Sequence, residues 1–340
     1  MISKMKPVEQ GGSRLAIVFN GSPLFTGGAG SGESEIRRWI IENDWLEAVV
    51  ALPDQLFYNT GISTYFWIVT NRKHKERRGK VQLVDARDLF VKMRKSLGEK
   101  RKQISDDQID EIVRVYGDFT EGDRVKIFPN EAFGFLRITV ERALRVRWEV
   151  TDDTLLAFDA DNRVAKLDDA VRTALRSGLE EWRGEVLADG AFAAKRVWVL
   201  LTQVGAIGKP LHTAVLDALA VRDPDAEAVT DAKGNALPDP DLRDNENVPL
   251  PSVPVSYEAD TTARMSTVEY RTAIEGYISA EVRPYVPDTW VDHDKTKIGY
   301  EIPVTRHFYK YIPPRPLVEI DAEIKQLEAE IQELLREVTE

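Results

Sequence analysis

Residues 15–71 set the apolar residues in an order that few architectures accept. A short apolar run (LAIVFN, 15–20) leads into a glycine-rich turn (FTGGAGSG, 25–32) and then an amphipathic stretch over 33–42. A second apolar run follows (AVVAL, 48–52), then an aromatic loop (QLFYNTGIS, 55–63) and a β-branched, aromatic run (STYFWIVT, 63–70). Short apolar runs between turn signals suit strands covered on both faces. A single helix between two of them predicts an α/β sheet. In that helix Ile36, Trp39 and Ile40 share a face, and Ser34 or Ser31 is placed to cap it. Residues 81–84 (VQLV) predict one more strand.

Beyond this block the periodicity predicts helices over 88–97 and 106–116, the second with Ile109, Ile112, Val113 and Tyr116 on one face. Strand character centres on 136–140. Residues 153–221 read as mainly helical, with Leu155, Leu156, Leu167, Val171, Leu175, Leu179 and Trp182 as apolar positions. The stretch 223–254 is rich in proline and acid and reads as an extended linker. At the end of the chain Leu317, Ile320, Ile324, Leu327, Ile331, Leu334 and Val338 alternate spacings of three and four, the seam of a coiled coil. Pro313, Pro314 and Pro316 stop that helix from extending upstream. Three heptads are marginal in isolation, so the seam calls for a second helix.

Composition removes several classes of function. The 340 residues contain no cysteine, which excludes disulfides and thiolate metal sites and fits a cytoplasmic protein. No eighteen-residue apolar stretch is present, so no membrane association is expected. A net charge of −11 argues against a free-standing nucleic-acid binder. The charge is uneven, however: residues 72–102 hold thirteen Lys and Arg against four acids. A basic run of that kind beside an aromatic loop suits phosphates, or else forms a solvated face. There is no P-loop, no H-E-x-x-H and no Ser-His-Asp order, and His74 and His212 stand alone. Asp288, Asp292, His293 and Asp294 (in PDTWVDHDKTKIGYE) suggest a metal site. No Asp/Glu-x-Lys triplet follows at a workable distance, so no metal is expected.

The words of 15–71 resemble the closing part of the methylase subunit of type I restriction–modification systems, an N6-adenine DNA methyltransferase family. The block 287–324 (PDTWVDHDKTKIGYEIPVTRHFYKYIPPRPLVEIDAEI) resembles it more specifically still. The resemblance implies a partial Rossmann-like methyltransferase sheet, followed by a mainly helical region and a C-terminal coiled-coil helix. It divides the chain into a catalytic-domain part (1–118), a helical insertion (119–222), a Pro/Asp-rich linker (223–256), a family-specific segment (257–316) and the coiled coil (317–340). It implies S-adenosylmethionine as donor, double-stranded DNA as substrate, and a DNA-specificity subunit and a restriction subunit as partners.

Such enzymes hold the adenine amine with an [NDS]-P-P-aromatic tetrapeptide, and none occurs here; the single Pro-Pro pair is Pro313–Pro314. The glycine turn at 25–32 corresponds to a later loop of the family, not to its donor-binding turn. The expectation is therefore a C-terminal portion of such a subunit that does not bind the donor alone. The alternative is a non-catalytic module that only binds the specificity subunit. By motif position Phe57 stacks on the target base with Tyr58 beside it, and Asn59, Thr60, Ser63, Arg72 and Lys73 contact DNA. The seven seam residues, Leu317 to Val338, dock the partner. His307, Tyr309 and Tyr311 are expected to pack or meet a partner.

Overall fold

Arg14–Asn20 (β1), Leu46–Ala51 (β2), Thr64–Thr70 (β3) and Lys80–Asp85 (β4) are strands in the computed structural model, which describes residues 1–231, 233–311 and 313–339, with side chains to 336. With Val125–Pro129 (β7) they form a mixed sheet in the order β1-β3-β2-β4-β7. All six residues of β2 are buried, as a continuous apolar run requires, whereas the edge strand β1 alternates between exposed and half-buried positions. β2 and β4 run parallel; the other neighbours are antiparallel. Val50, Val84, Ala86, Leu89 and Val125 form a core cluster. This sheet belongs to one compact unit, residues 1–26, 44–130 and 301–340.

The helix Asp106–Asp118 begins at a reciprocal cap, Ser105 with Gln108, and packs against β4. Its inward residues are Ile112 and Val115; Ile109 and Val113, expected on that face, are exposed. The helix expected over 88–97 is instead a strand, Val91–Leu97 (β5), paired with Lys100–Gln103 (β6). The cause is Gly98, whose φ of +59° opens a two-residue turn closed by Leu97 opposite Lys100. A glycine at the first central position is the signature of such a turn.

The second unit comprises residues 27–43 and 131–300. Gly134–Glu141 (β8) is its central strand, and Leu136, Ile138 and Val140 on it are buried. A small sheet, Val146–Glu149 (β9), Val186–Leu187 (β10) and Ala220–Arg222 (β11), carries the helices of the insertion. Those helices, Asp152–Ala160, Asp169–Glu180, Gly190–Gln203 and Lys209–Leu219, close a core that includes Trp148, Leu155, Phe158, Leu175, Leu179 and Trp182. Leu156, expected inside, is 65% exposed.

Asp244–Pro249 (β12), within the stretch read as a linker, is a strand that pairs with β8 from Asp244↔Val140 to Pro249↔Phe135. Its Pro and Asp content suits an edge strand, where proline costs no ladder bond. Trp290–Tyr300 (β13) flanks the other side of β8, with a register shift between Asp292 and Lys297.

The helix Gly32–Glu42 packs against β13 and is capped by Ser31, whose hydroxyl accepts from Ser34 N at 3.3 Å. The face expected to be apolar is only partly so: Ile36 is exposed, while Arg37, Arg38 and Glu42 are buried with Ile40 and Ile41. Glu42 explains the exchange, because it accepts hydrogen bonds from Arg38 (3.2 Å), Arg264 (2.7 Å) and the Tyr300 hydroxyl (3.0 Å). The C-terminal helix starts at Leu317, directly after the prolines, and runs to Thr339.

Candidate nucleic-acid interface

Because β2 and β4 are parallel, with Ala51 opposite Asp85, the chain leaves both strands at the same edge of the sheet. Ligand sites of open α/β sheets gather at such carboxyl ends. The loop after β2 is pinned at its base by Leu52 N donating to Thr64 O at 2.9 Å. Pro53 is buried, and the chain then turns outward through Gln55, a non-glycine residue at φ +57°. Phe57 is 40% exposed and Tyr58 64% exposed, so neither is a core residue. Thr60 N bonds Phe57 O at 3.5 Å, which folds the loop back on itself and sets Asn59 at its exposed tip. Thr60 and Ser63 are half-buried.

The β5–β6 hairpin braces this loop through its backbone. Glu99 N donates to Tyr58 O at 3.0 Å, and Arg101 N and Lys102 N both donate to Gln55 O, at 3.0 and 3.2 Å. Asp54 pairs with the Lys102 ammonium, which lies 3.9 Å from the Phe90 ring centroid. Residues 91–103 hold six Lys and Arg against one Glu. The charge excess of 72–102 and its place beside the aromatic loop were visible in the sequence; that a hairpin carries it was not, because 88–97 read as a helix. The sequence signal was the LGEK turn.

Arg72 and Lys73 lie elsewhere. They follow the far end of β3, seven residues and about 23 Å along a strand from Ser63. Arg72 is exposed and donates to Gly11 O at 3.1 Å. Lys73 is 5% exposed, and its ammonium bonds Asp44 at 2.5 Å and Lys80 O at 2.7 Å. Burial pushes that ammonium below the usual lysine range despite the carboxylate beside it. Within the fold the Lys73 ammonium is therefore held by Asp44 and the Lys80 carbonyl.

A cleft of about 560 Å³ opens at the end of β4, lined by Asp85, Arg87, Asp88, Phe90, Asp123, Arg124, Phe308 and Lys310. Its two arginines are committed: Arg87 holds both Asp85 oxygens at 2.8 Å, and Arg124 holds Asp88 at 3.1 Å. Burial alone would raise the Asp85 carboxyl, but the bonds from Arg87 overrule it and keep it below the ordinary carboxylate range. His307 stacks on Phe128 with ring centroids 4.2 Å apart, and Tyr309 and Tyr311 are exposed. In the other unit Asp288 is tied to Arg142 and Arg145, and Asp292 to Lys295. Among the described residues no group of His, Asp and Glu could hold a metal ion, and no helix is long and apolar enough to cross a membrane.

On the C-terminal helix Leu317, Ile320, Ile324, Leu327, Ile331 and Leu334 are all exposed, at 81, 37, 49, 56, 56 and 61%. Val338 lies on the same helix, and its side chain is outside the described residues.

Residues 2–132 match the family described as N-6 DNA Methylase. A 110-residue stretch is 33% identical to the methylase subunit of the type I restriction enzyme MjaVIII of Methanocaldococcus jannaschii, covering 32% of this chain and 18% of that subunit. A 57-residue stretch is 46% identical to the HindI methylase subunit of Haemophilus influenzae, covering 17% of this chain and 12% of that one. The chain thus spans less than a fifth of the length of these relatives. A type I restriction–modification methyltransferase subunit from Streptococcus thermophilus aligns over 35% of this chain and 24% of its own, at 25% identity and a TM-score of 0.31. Residues 2–132 are thus similar to the N-6 DNA methylase family, and the relatives that the chain matches are methylase subunits of type I restriction enzymes.

Proposed function

We propose that this chain serves adenine methylation of DNA as the base-holding and subunit-docking part of a type I methylase. The observation that carries the reading is the exposed Phe57–Tyr58 pair, standing at the carboxyl edge of β2 and braced by a basic hairpin. Modifying an exocyclic amine requires the base to leave the duplex and find an aromatic face. In this reading Phe57 stacks on the adenine, Tyr58 flanks it, and Asn59, Thr60 and Ser63 meet the base edge or the backbone. The mixed sheet with its parallel β2/β4 pair is read as part of a Rossmann-like methyltransferase sheet. The C-terminal seam is read as a coiled-coil strand that docks on a DNA-specificity subunit, with a restriction subunit completing the assembly.

S-adenosylmethionine supplies the methyl group to enzymes of this kind. The glycine turn ahead of the helix Gly32–Glu42 does not fit it. A Cβ on Gly27 would lie 2.3 Å from Ser31 Oγ and 2.9 Å from Glu33 Oε2, so the turn is packed by its own side chains.

Base–aromatic stacking contributes about 1–3 kcal/mol per base. Phe57→Ala in the assembled methylase is therefore expected to slow methyl transfer by roughly 5- to 150-fold. A second reading, a module that only docks the specificity subunit, is favoured by the exposed seam. The same variant separates the two: transfer unchanged by Phe57→Ala would leave only the docking module.

A further inference from the structure

We propose that the β5–β6 hairpin is a clamp for the phosphates of a DNA strand, and that it delivers the strand it holds alongside Phe57; this rests on the methylase reading above. The first observation is where the protein leaves its positive charge unmatched. Many arginines of this acidic chain are tied to carboxylates, among them Arg87 to Asp85, Arg124 to Asp88, Arg163 to Asp161 and Arg264 to Glu42, and the hairpin stands out by how many unmatched cations it gathers in thirteen residues. On the hairpin, among the described residues, Lys92, Arg94, Lys95, Lys100 and Arg101 have no carboxylate partner, and only Lys102 is paired, with Asp54.

The second observation is the register. Lys92 stands directly opposite Lys102; Asp54 offsets the charge of Lys102, which leaves Lys92 as the unmatched cation of that pair. The ladder then loses register between Lys92 and Leu97, so Arg94 and Lys95 fall in an irregular segment where side chains are re-aimed. Neither strand belongs to a core: six of the seven residues of β5 are exposed. A seven-residue strand rises about 23 Å, a length over which one DNA strand carries about seven phosphates.

The third observation is the link to the base site. The hairpin's turn and second strand hold the carbonyls of Gln55 and Tyr58, the residues on either side of Leu56 and Phe57. A backbone gripped by the hairpin is thereby set beside the aromatic pair through three hydrogen bonds, with no flexible linker between. Gly98 permits that approach, since a Cβ there would meet Tyr58 O at 3.0 Å.

The test is fluorescence anisotropy of a short labelled duplex with the full chain over a salt series. Each lost phosphate contact lowers the slope of log affinity against log salt by about 0.9. Replacing Lys92, Arg94 and Lys95 together with alanine should lower it by about 2 to 3 and weaken binding about tenfold or more at low salt. Lys92→Arg with Lys95→Arg should keep the slope, and removing Lys4, Lys6 and Arg72 should leave it unchanged. Gly98→Val should keep the slope yet slow methyl transfer by the assembled enzyme, because the charges remain while the brace is displaced. An unchanged slope in the triple alanine variant overturns the clamp, even with transfer still dependent on Phe57. Loss of association with another subunit at an unchanged DNA slope also overturns it, and assigns the hairpin to an acidic protein. A lowered slope with transfer indifferent to Phe57 sinks the methylase reading and leaves the clamp standing.

Discussion

Glu42→Ala should destabilise the unit of residues 27–43 and 131–300 by about 3–5 kcal/mol, the cost of stripping one partner from a buried ion network. The Glu42 side chain is fully buried and bridges Arg38, 4% exposed, and Arg264, 11% exposed. The Tyr300 hydroxyl donates to the same carboxylate, and burial followed by the charge of Glu42 drives that phenol far above the usual tyrosine range. Arg37 adds a 2.6 Å bond to Tyr300 O, so the helix Gly32–Glu42 is anchored to β13 by charge as well as by Ile40 and Ile41. Alanine leaves two guanidinium groups facing a void that water fills poorly. Glu42→Gln keeps the shape and one acceptor, and Glu35 still pairs with Arg38 at 2.6 Å, so it should cost less than half as much. Denaturant unfolding of both variants at neutral pH measures the difference. A loss below about 1 kcal/mol for alanine would mean the network is exposed in solution.

Leu327→Asp is the second large effect, and it falls on association rather than folding. Leu327 sits mid-seam at 56% exposure, with Ile324 and Ile331 one turn away on either side. Burying a leucine contributes about 1.5–3 kcal/mol. Forcing a carboxylate into the same interface adds several kcal/mol of desolvation cost. The two together are expected to lower affinity for the specificity subunit proposed as partner by about a hundredfold or more. Glu328→Ala, one position off the stripe, should leave affinity unchanged. Gel filtration of the mixed subunits reads the result, with circular dichroism showing that the rest of the chain stays folded. A complex that survives Leu327→Asp would remove the seam from the interface.

The parts of the fold that were legible in the sequence are those whose signal is local. β2 and β3 announce themselves as unbroken apolar and β-branched runs, and the C-terminal helix by its proline stop and its seam. The parts that were not depend on partners far along the chain. Arg37, Arg38 and Glu42 look like a solvated face until Arg264 and Tyr300, more than two hundred residues later, are brought to them. Asp244–Pro249 looks like a linker until β8 offers it an edge. The candidate site divides the same way. Phe57 and Tyr58 could be named from their motif, but their braces come from Glu99, Arg101 and Lys102, on a hairpin disguised by charge spacing that also suits a helix. The burial of Lys73 was hidden for a related reason, since Asp44, which holds its ammonium, lies twenty-nine residues earlier in the chain.

The central claim is that the loop 55–63 receives the target adenine. A duplex carrying a photoreactive adenine analogue at the methylated position, irradiated in the assembled enzyme and mapped by mass spectrometry, tests it directly. The account predicts cross-links to this chain at Phe57 or Tyr58, lost from position 57 in Phe57→Ala. Cross-links that fall wholly outside residues 55–63 would contradict it.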